Sequence, residues 1–211
     1  MKNRDTVDFH AHILPGMDHG SGSITTSRKQ LDMAKAAGIK TICATSHFYP
    51  HAQSCEDFLE KRKKCFDNLK KVLKSDDPEI IPGAEVLVCD GLETMKGIEK
   101  LCLEGTNILL LEMPFMNWSR GVMETTENLC MRDDLTIVIA HADRYPKESI
   151  AWFIQNGIDL QLNIDAFKGL FRKGRYTRWV KNGYAKYLGS DIHHANKNPY
   201  DDWKKYSRLF K

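Results

Sequence analysis

Apolar and polar positions change period repeatedly along this chain. Val7 and Phe9 alternate with Asp8 and His10, a period of two that predicts a short strand from Thr6 to His12. Ile24 to Ala37 carries apolar residues at helical spacing and stops at Gly38, a residue that commonly ends helices. Lys40 to Thr45 reads as a second strand, with Ser46-His47-Phe48-Tyr49-Pro50-His51 as the loop at its end. Ser54 and Asp57 form a capping start; Phe58, Leu59, Phe66, Leu69, Val72 and Leu73 follow as a helical stripe. The lysines between them, from Lys61 to Lys74, form a solvated face.

Beyond this helix the alternation of short and long elements continues. Glu79 to Val88 reads as a strand interrupted at Pro82-Gly83, and Leu92 to Leu103 as a helix. Asn107 to Glu112 is a continuously apolar strand ending in a carboxylate, as expected of a parallel strand covered on both faces. Met123 to Arg132 is a helix, Thr136 to His141 a second apolar strand with an ionisable end, and Pro146 opens a helix that Gly157 closes. Ile158, Leu160, Leu162 and Ile164 alternate with Asp159, Gln161 and Asn163 on the next strand. A segment rich in Lys and Arg is helical, Ala185 to Ser190 is the last strand, and Pro199 to Lys211 is a short terminal helix. This makes about seven βα units, hence the α/β class with a parallel sheet or closed barrel.

Composition narrows the setting. The 211 residues suit one domain with a real core, and 31 basic against 28 acidic side chains give +3, too mild for a nucleic-acid binder. No apolar run approaches a membrane span, and Met-Lys-Asn-Arg-Asp at the start lacks the apolar core of a signal peptide. Cys43, Cys55, Cys65, Cys89, Cys102 and Cys130 are scattered, with no Cys-x-x-Cys pair, which reads as reduced thiols in a cytoplasmic protein.

The candidate chemistry lies where strands end. In βα barrels functional residues gather at the C-terminal strand ends. His12, His47, Glu85, Glu112, His141, Asp191 and His193 all stand at or just past such an end, and His10 and His12 project from one strand. Six of the eight histidines (His10, His12, His19, His47, His141, His193) fall at these positions. Imidazoles mixed with carboxylates suit divalent Mn, Zn or Fe more than Mg or Ca.

These motifs together resemble a known family. Asp8-x-His10-x-His12-x-Leu14-Pro15-Gly16-x-Asp18-His19-Gly20, Thr45-Ser46-His47, Gly83-Ala84-Glu85, Leu111-Glu112, Ile139-Ala140-His141-x-x-Arg144 and Ser190-Asp191-x-His193 look like the polymerase-and-histidinol-phosphatase (PHP) superfamily. Within it they are most similar to the bacterial metal-dependent protein-tyrosine phosphatases of capsule and exopolysaccharide operons. The resemblance implies a distorted (β/α)7 barrel, a single domain over residues 1–211, holding three divalent ions, usually manganese. It implies that His10, His12, Glu85 and Asp191 hold one ion. Glu85 bridges to a second, completed by Glu112 and His141, and His47, His193 and His19 hold the third. Arg144 binds the substrate phosphate, and the partners are a phosphotyrosine protein and a cognate bacterial tyrosine kinase.

Two positions depart from the family's pattern. Histidine stands at 19 where the family usually has aspartate, which admits Fe or Zn at that ion. The family's second phosphate-binding arginine falls near Asn198, with Lys197 the nearest cation, and lysine lacks the planar fork of arginine. Lys197 is therefore a second candidate for substrate binding. Clustered divalent ions supply hydroxide near neutral pH, and phenolate, of pKa about 10, is a tolerable leaving group. No cysteine has an arginine six positions on, so a cysteine nucleophile is not expected. Two other readings stay open: a PHP phosphatase for a small phosphomonoester such as histidinol phosphate, and a non-catalytic module in which the ligands only stabilise the barrel.

Overall fold

Strand formation here follows the apolar runs, and the strand ends follow the chemistry. The computed structural model describes residues 6–115, 118–169 and 173–210. Seven strands pair in sequence order, all parallel: β1 (Val7–Ala11), β2 (Thr41–Phe48), β3 (Glu79–Leu87), β4 (Ile108–Glu112), β5 (Thr136–Ile139), β6 (Asp159–Asn163) and β7 (Ala185–Gly189). Between them run α1 (Ile24–Ala36), α2 (Cys55–Lys70), α3 (Arg120–Cys130), α4 (Lys147–Gln155) and α5 (Lys173–Lys181). Ser23, Ser54 and Ser119 cap α1, α2 and α3 by accepting a backbone N–H three residues on.

Directly paired residues on parallel strands share a face, so register tells inside from outside. Phe9, Cys43, Leu110 and Val138, with Leu103, form an apolar plug. Ile42, Leu109, Leu111 and Ile139 face the other way, against Leu31, Phe58, Leu69, Leu129 and Phe153 of the helices. At the C-terminal ends the inward positions turn polar, with His47 beside Glu85 and Leu87 beside Glu112.

Strand β1 breaks strict alternation. Asp8 pairs with Ile42 but Ala11 with Ala44, so β1 spends one extra residue at a bulge. Phe9 and His10 consequently both reach the interior. Phe9 stacks on Tyr187 at 4.0 Å, and His10 meets Gln161 and Glu85. Asp8, expected on the face of His10, turns away to the junction between β1 and β7.

That junction closes the barrel. The His12 amide donates to the Ile192 carbonyl at 3.0 Å, and the Asp191 amide to the His10 carbonyl at 2.7 Å. The buried Asp8 carboxylate accepts from the Ser190 amide (2.8 Å), the Ser190 hydroxyl (2.5 Å) and the Tyr200 hydroxyl (2.6 Å).

Four elements differ from the sequence reading. Strand β2 runs through His47 to Phe48, because β3 continues beside it and pairs with every residue. Pro82-Gly83 does not interrupt β3; a Cβ on Gly83 would lie 2.4 Å from the Leu103 side chain, so the glycine admits the apolar plug. Leu92 to Leu103 forms two 3₁₀ turns, Leu92–Thr94 and Ile98–Leu101, each preceded by a glycine of positive φ that breaks helix propagation. The terminal segment is likewise a 3₁₀ turn, a short α6 (Trp203–Tyr206) and another 3₁₀ turn. Residues 1–5, read for a leader, and residue 211 lie outside the described residues, as do residues 170–172 of the basic segment.

Asp8→Ala leaves three donors at the closure without their acceptor. The expected loss of stability is ~1–3 kcal/mol, the range for stranded buried polar groups. It is read as a lower denaturant midpoint at unchanged slope. A midpoint equal to that of the parent chain would show that the closure does not depend on this carboxylate.

Candidate metal centre

One buried carboxylate stands at the centre of the barrel mouth. Glu85, at 1% exposure, places Oε2 3.1 Å from His10 Nε2, 3.3 Å from His12 Nε2 and 3.1 Å from His47 Nδ1. Its Oε1 lies 2.8 Å from His141 Nε2. Glu112 approaches from β4, with oxygens 3.5 Å from His141 Nε2 and 3.7 Å from His47 Nδ1. Asp191 Oδ1 sits 3.6 Å from His10 Nε2 and 3.4 Å from His12 Nε2.

Protein partners alone do not satisfy this cluster. His10 Nε2 and His12 Nε2 face each other at 3.1 Å, where at most one shared proton fits. Glu85 Oε2, His47 Nδ1 and His141 Nδ1 are buried with no aligned hydrogen bond. Nitrogen lone pairs and carboxylate oxygens converging on common points match the donor set of a divalent transition ion. Among the described residues three groups have ligand atoms within 4.8 Å of one another: His10, His12 and Glu85; His47, Glu85 and Glu112; His12, His47 and His193.

These groups share residues that the sequence-based sets keep apart. His12 and His47 each belong to two of the groups, while Asp191 and His141 lie beside them, His141 Nε2 at 2.8 Å from Glu85 and 3.5 Å from Glu112. His19 does reach the cluster, with its ring 4.5 Å from that of His47 and 4.8 Å from that of His193. Its neighbour Asp18 is committed elsewhere. It binds His12 Nδ1 at 2.9 Å and accepts the His47 amide at 3.0 Å and the Gly20 amide at 2.9 Å.

A second layer fixes the rings. Gln161 Oε1 lies 3.1 Å from His10 Nδ1 and accepts the His141 amide at 2.6 Å. Gln161 Nε2 donates to Asn163 Oδ1 at 2.9 Å, and Asn163 Nδ2 to Asp191 Oδ2 at 3.1 Å. The polar face of β6 thus orients ligands through Gln161 and Asn163, and Asp159 pairs with Lys186 at 2.6 Å. Gly189 belongs to this layer, since a Cβ there would lie 2.6 Å from both Gln161 Nε2 and His10 Cβ. Sequence reasoning missed Asp18, Gln161, Asn163 and Gly189 as positioning residues; only the alternating polar face of β6 signalled any of them.

Electrostatics follow from burial and crowding. Burial opposes a proton on His12, but Asp18, Asp191 and Glu85 outweigh it and raise its pKa well above the usual value. Burial likewise opposes a proton on His141, yet Glu112 and Glu85 raise its pKa to about 9. His47 falls to about 3 and His193 to about 4, chiefly through burial, so both are neutral donors near pH 7. Glu85 and Asp191 stay ionised despite burial because cationic imidazoles and, for Asp191, Arg144 face them. Metal ligands must be deprotonated, and a divalent ion would replace the protons held here by His12 and His141.

Above the cluster a cleft of about 360 Å3 opens, lined by ligands on its floor and by Arg144 on one wall. Arg144 ends a 3₁₀ turn after β5, pairs with Asp191, and its side chain is 40% exposed. Lys197 is not brought to this cleft. It pairs with Asp165 at 3.1 Å, is 73% exposed, and borders a neighbouring depression. The nearer carboxylate holds it there.

A nearly closed parallel barrel with a histidine–carboxylate cluster at its strand ends defines a βα barrel whose mouth carries the donor set of a divalent metal site. The chain belongs to the CpsB/CapC family of capsular polysaccharide synthesis, whose model matches residues 6–201. It is 28% identical over 203 residues to the tyrosine-protein phosphatase YwqE of Bacillus subtilis, spanning 90% of this chain and 78% of that protein. It is 26% identical to the tyrosine-protein phosphatase CpsB of Streptococcus pneumoniae, over 92% of this chain and 85% of that one. A crystal structure from the pair YwqE and CpsB, described as unique metal-dependent tyrosine phosphatases, matches with a TM-score of 0.76 at 24% identity. It covers 96% of this chain and 85% of its own.

Gln161→Ala removes the acceptor shared by His10 and the His141 amide. Loss of such an outer partner typically lowers metal affinity ~10–100-fold. Competition against a chromophoric chelator measures this, and an unchanged affinity would show that the rings orient themselves.

Proposed function

We propose that this protein hydrolyses phosphomonoesters with divalent metal, acting on phosphotyrosine in proteins in the service of capsule or exopolysaccharide synthesis. The carrying observation is Arg144, a half-exposed cation in an open cleft directly beside a buried histidine–carboxylate cluster. A purely structural metal site is closed and needs no anion binder. The names of the relatives support the choice of phosphotyrosine over histidinol phosphate.

The ligand sets we propose are His10, His12, Glu85 and Asp191; Glu85, Glu112 and His141; and His19, His47 and His193. Three ions are proposed, with manganese at the carboxylate-rich positions and Fe or Zn favoured beside His19, because imidazole suits those ions better than aspartate oxygen does. When bound, such ions lower the pKa of water and neutralise phosphoryl oxygens. Arg144 exchanges its Asp191 contact for the substrate phosphate, offering a planar pair of N–H donors as charge moves onto the phosphoryl oxygens. Asp18 and Gln161 keep His12 and His10 in the tautomers that present Nε2 to the cluster. A cognate tyrosine kinase as the source of substrate and a cytoplasmic setting complete the reading. No helix among the described residues is long and apolar enough to cross a membrane.

Two substitutions separate metal binding from substrate binding. After metal stripping and Mn restoration, Glu85→Ala is expected to lose metal and abolish turnover of a phosphotyrosine peptide. Arg144→Ala is expected to keep its metal and lose ~10- to 1000-fold in kcat/KM. Normal turnover by either variant removes that residue's role, and faster turnover of histidinol phosphate by the parent chain would reassign the substrate.

His19→Asp tests the third position. Loaded with equal Mn, Fe and Zn, the parent chain is expected to retain Fe or Zn alongside Mn, and the variant to shift toward Mn at the same total. Unchanged metal content and identity in His19→Ala would remove His19 from the ligands.

A further inference from the structure

The cleft over the cluster has two unlike walls. Arg144, Asp191 and His193, from the ends of β5 and β7, form the charged side. Tyr49, Leu87 and Phe115 line the cleft as well, at or just past the ends of β2, β3 and β4. Those three strands are consecutive neighbours, so these residues follow one another around the mouth of the barrel.

Both aromatic members are held where a ring could meet them. Tyr49 stacks on His47 at 5.4 Å and 13°, continuing outward a series of rings that begins with His193, His19 and His47. Phe115 is 74% exposed, an open phenyl face beside the ionisable floor of the cleft. The floor of the cleft carries the buried side chains of Glu85, at 1% exposure, and His47, at 8%. A phosphoryl group reaching it therefore arrives on an extended side chain, and a seryl ester, with one methylene between phosphate and backbone, is short for this.

We propose that Tyr49, Leu87 and Phe115 form the specificity wall of the cleft, receiving the aromatic ring of an aryl phosphate while Arg144 takes the phosphate. This rests on the phosphatase reading and adds to it the residues that select an aryl over an alkyl ester. Aromatic pairing of this kind is worth ~0.5–1.5 kcal/mol beyond area burial, or about two- to twelvefold in affinity per ring.

Binding of two non-hydrolysable anions to the Mn-loaded full chain tests the wall without relying on turnover. Phenylphosphonate is expected to bind at least about tenfold more tightly than methylphosphonate, judged by calorimetry. Phe115→Ala is expected to reduce that preference about two- to twelvefold, and Phe115→Trp to preserve it. Tyr49→Leu is expected to lower it similarly, with metal content measured in parallel to show that the His47 position survives. Equal affinity of the parent chain for the two anions, or a preference unmoved in both Phe115→Ala and Tyr49→Leu, overturns the proposal. Turnover of p-nitrophenyl phosphate by the parent chain is recorded separately. Its absence beside an intact aryl preference would count against the phosphatase reading alone, and its presence with no aryl preference against the wall alone.

Discussion

The structure depends on the meeting of one buried carboxylate, Glu85, with four imidazoles at the barrel mouth. Buried ionised groups are tolerated only when paired and hydrogen-bonded. Here the pairing is crowded: protons on His12 and His141 offset some of the carboxylate charge, while three buried polar atoms remain unmatched. A divalent ion would displace those protons and give Glu85 Oε2 and His47 Nδ1 a shared partner. Features elsewhere in the barrel serve this arrangement. The bulge in β1 turns His10 inward, Gly189 leaves room for it, and the Gln161–Asn163 relay fixes both His10 and Asp191.

The backbone shows the same demand. Among the described non-glycine residues, His141 (φ 29°) and Asp191 (φ 53°) adopt positive φ. Both stand where a strand ends and both face the cluster. Non-glycine residues are uncommon in this region, and the local cost is of order 1–3 kcal/mol each. The barrel rim bends to point these side chains inward, and the surrounding hydrogen bonds of Gln161 and Asn163 hold the bend.

Much of this was legible in the sequence because it depends on period and position. Apolar runs gave seven strands in order, and ionisable residues at their ends marked the mouth of the barrel. What escaped was geometry that local pattern does not encode. Strict alternation placed Asp8 with His10, whereas a bulge sends them to opposite faces. Pro82-Gly83 looked like a break because local propensity cannot see Leu103 arriving from 20 residues away. Lys197 was matched by proximity in sequence to a missing arginine, but Asp165, remote in sequence, captures it. Gln161 carried a visible signal, a polar face on β6, whose purpose only the contact with His10 defines.

The closure between β1 and β7 has a consequence for biogenesis. The cluster draws its ligand atoms from His10 at one end of the chain to His193 at the other, and the two ends meet through the His12–Ile192 and Asp191–His10 backbone bonds. A nascent chain emerging from the ribosome displays His10 and His12 early, yet lacks Asp191 and His193 until the last strand of the barrel has been made. Contacts of such long sequence separation form late in folding. The full donor set therefore exists only once β7 has closed against β1, and a barrel halted before that strand presents half a cluster.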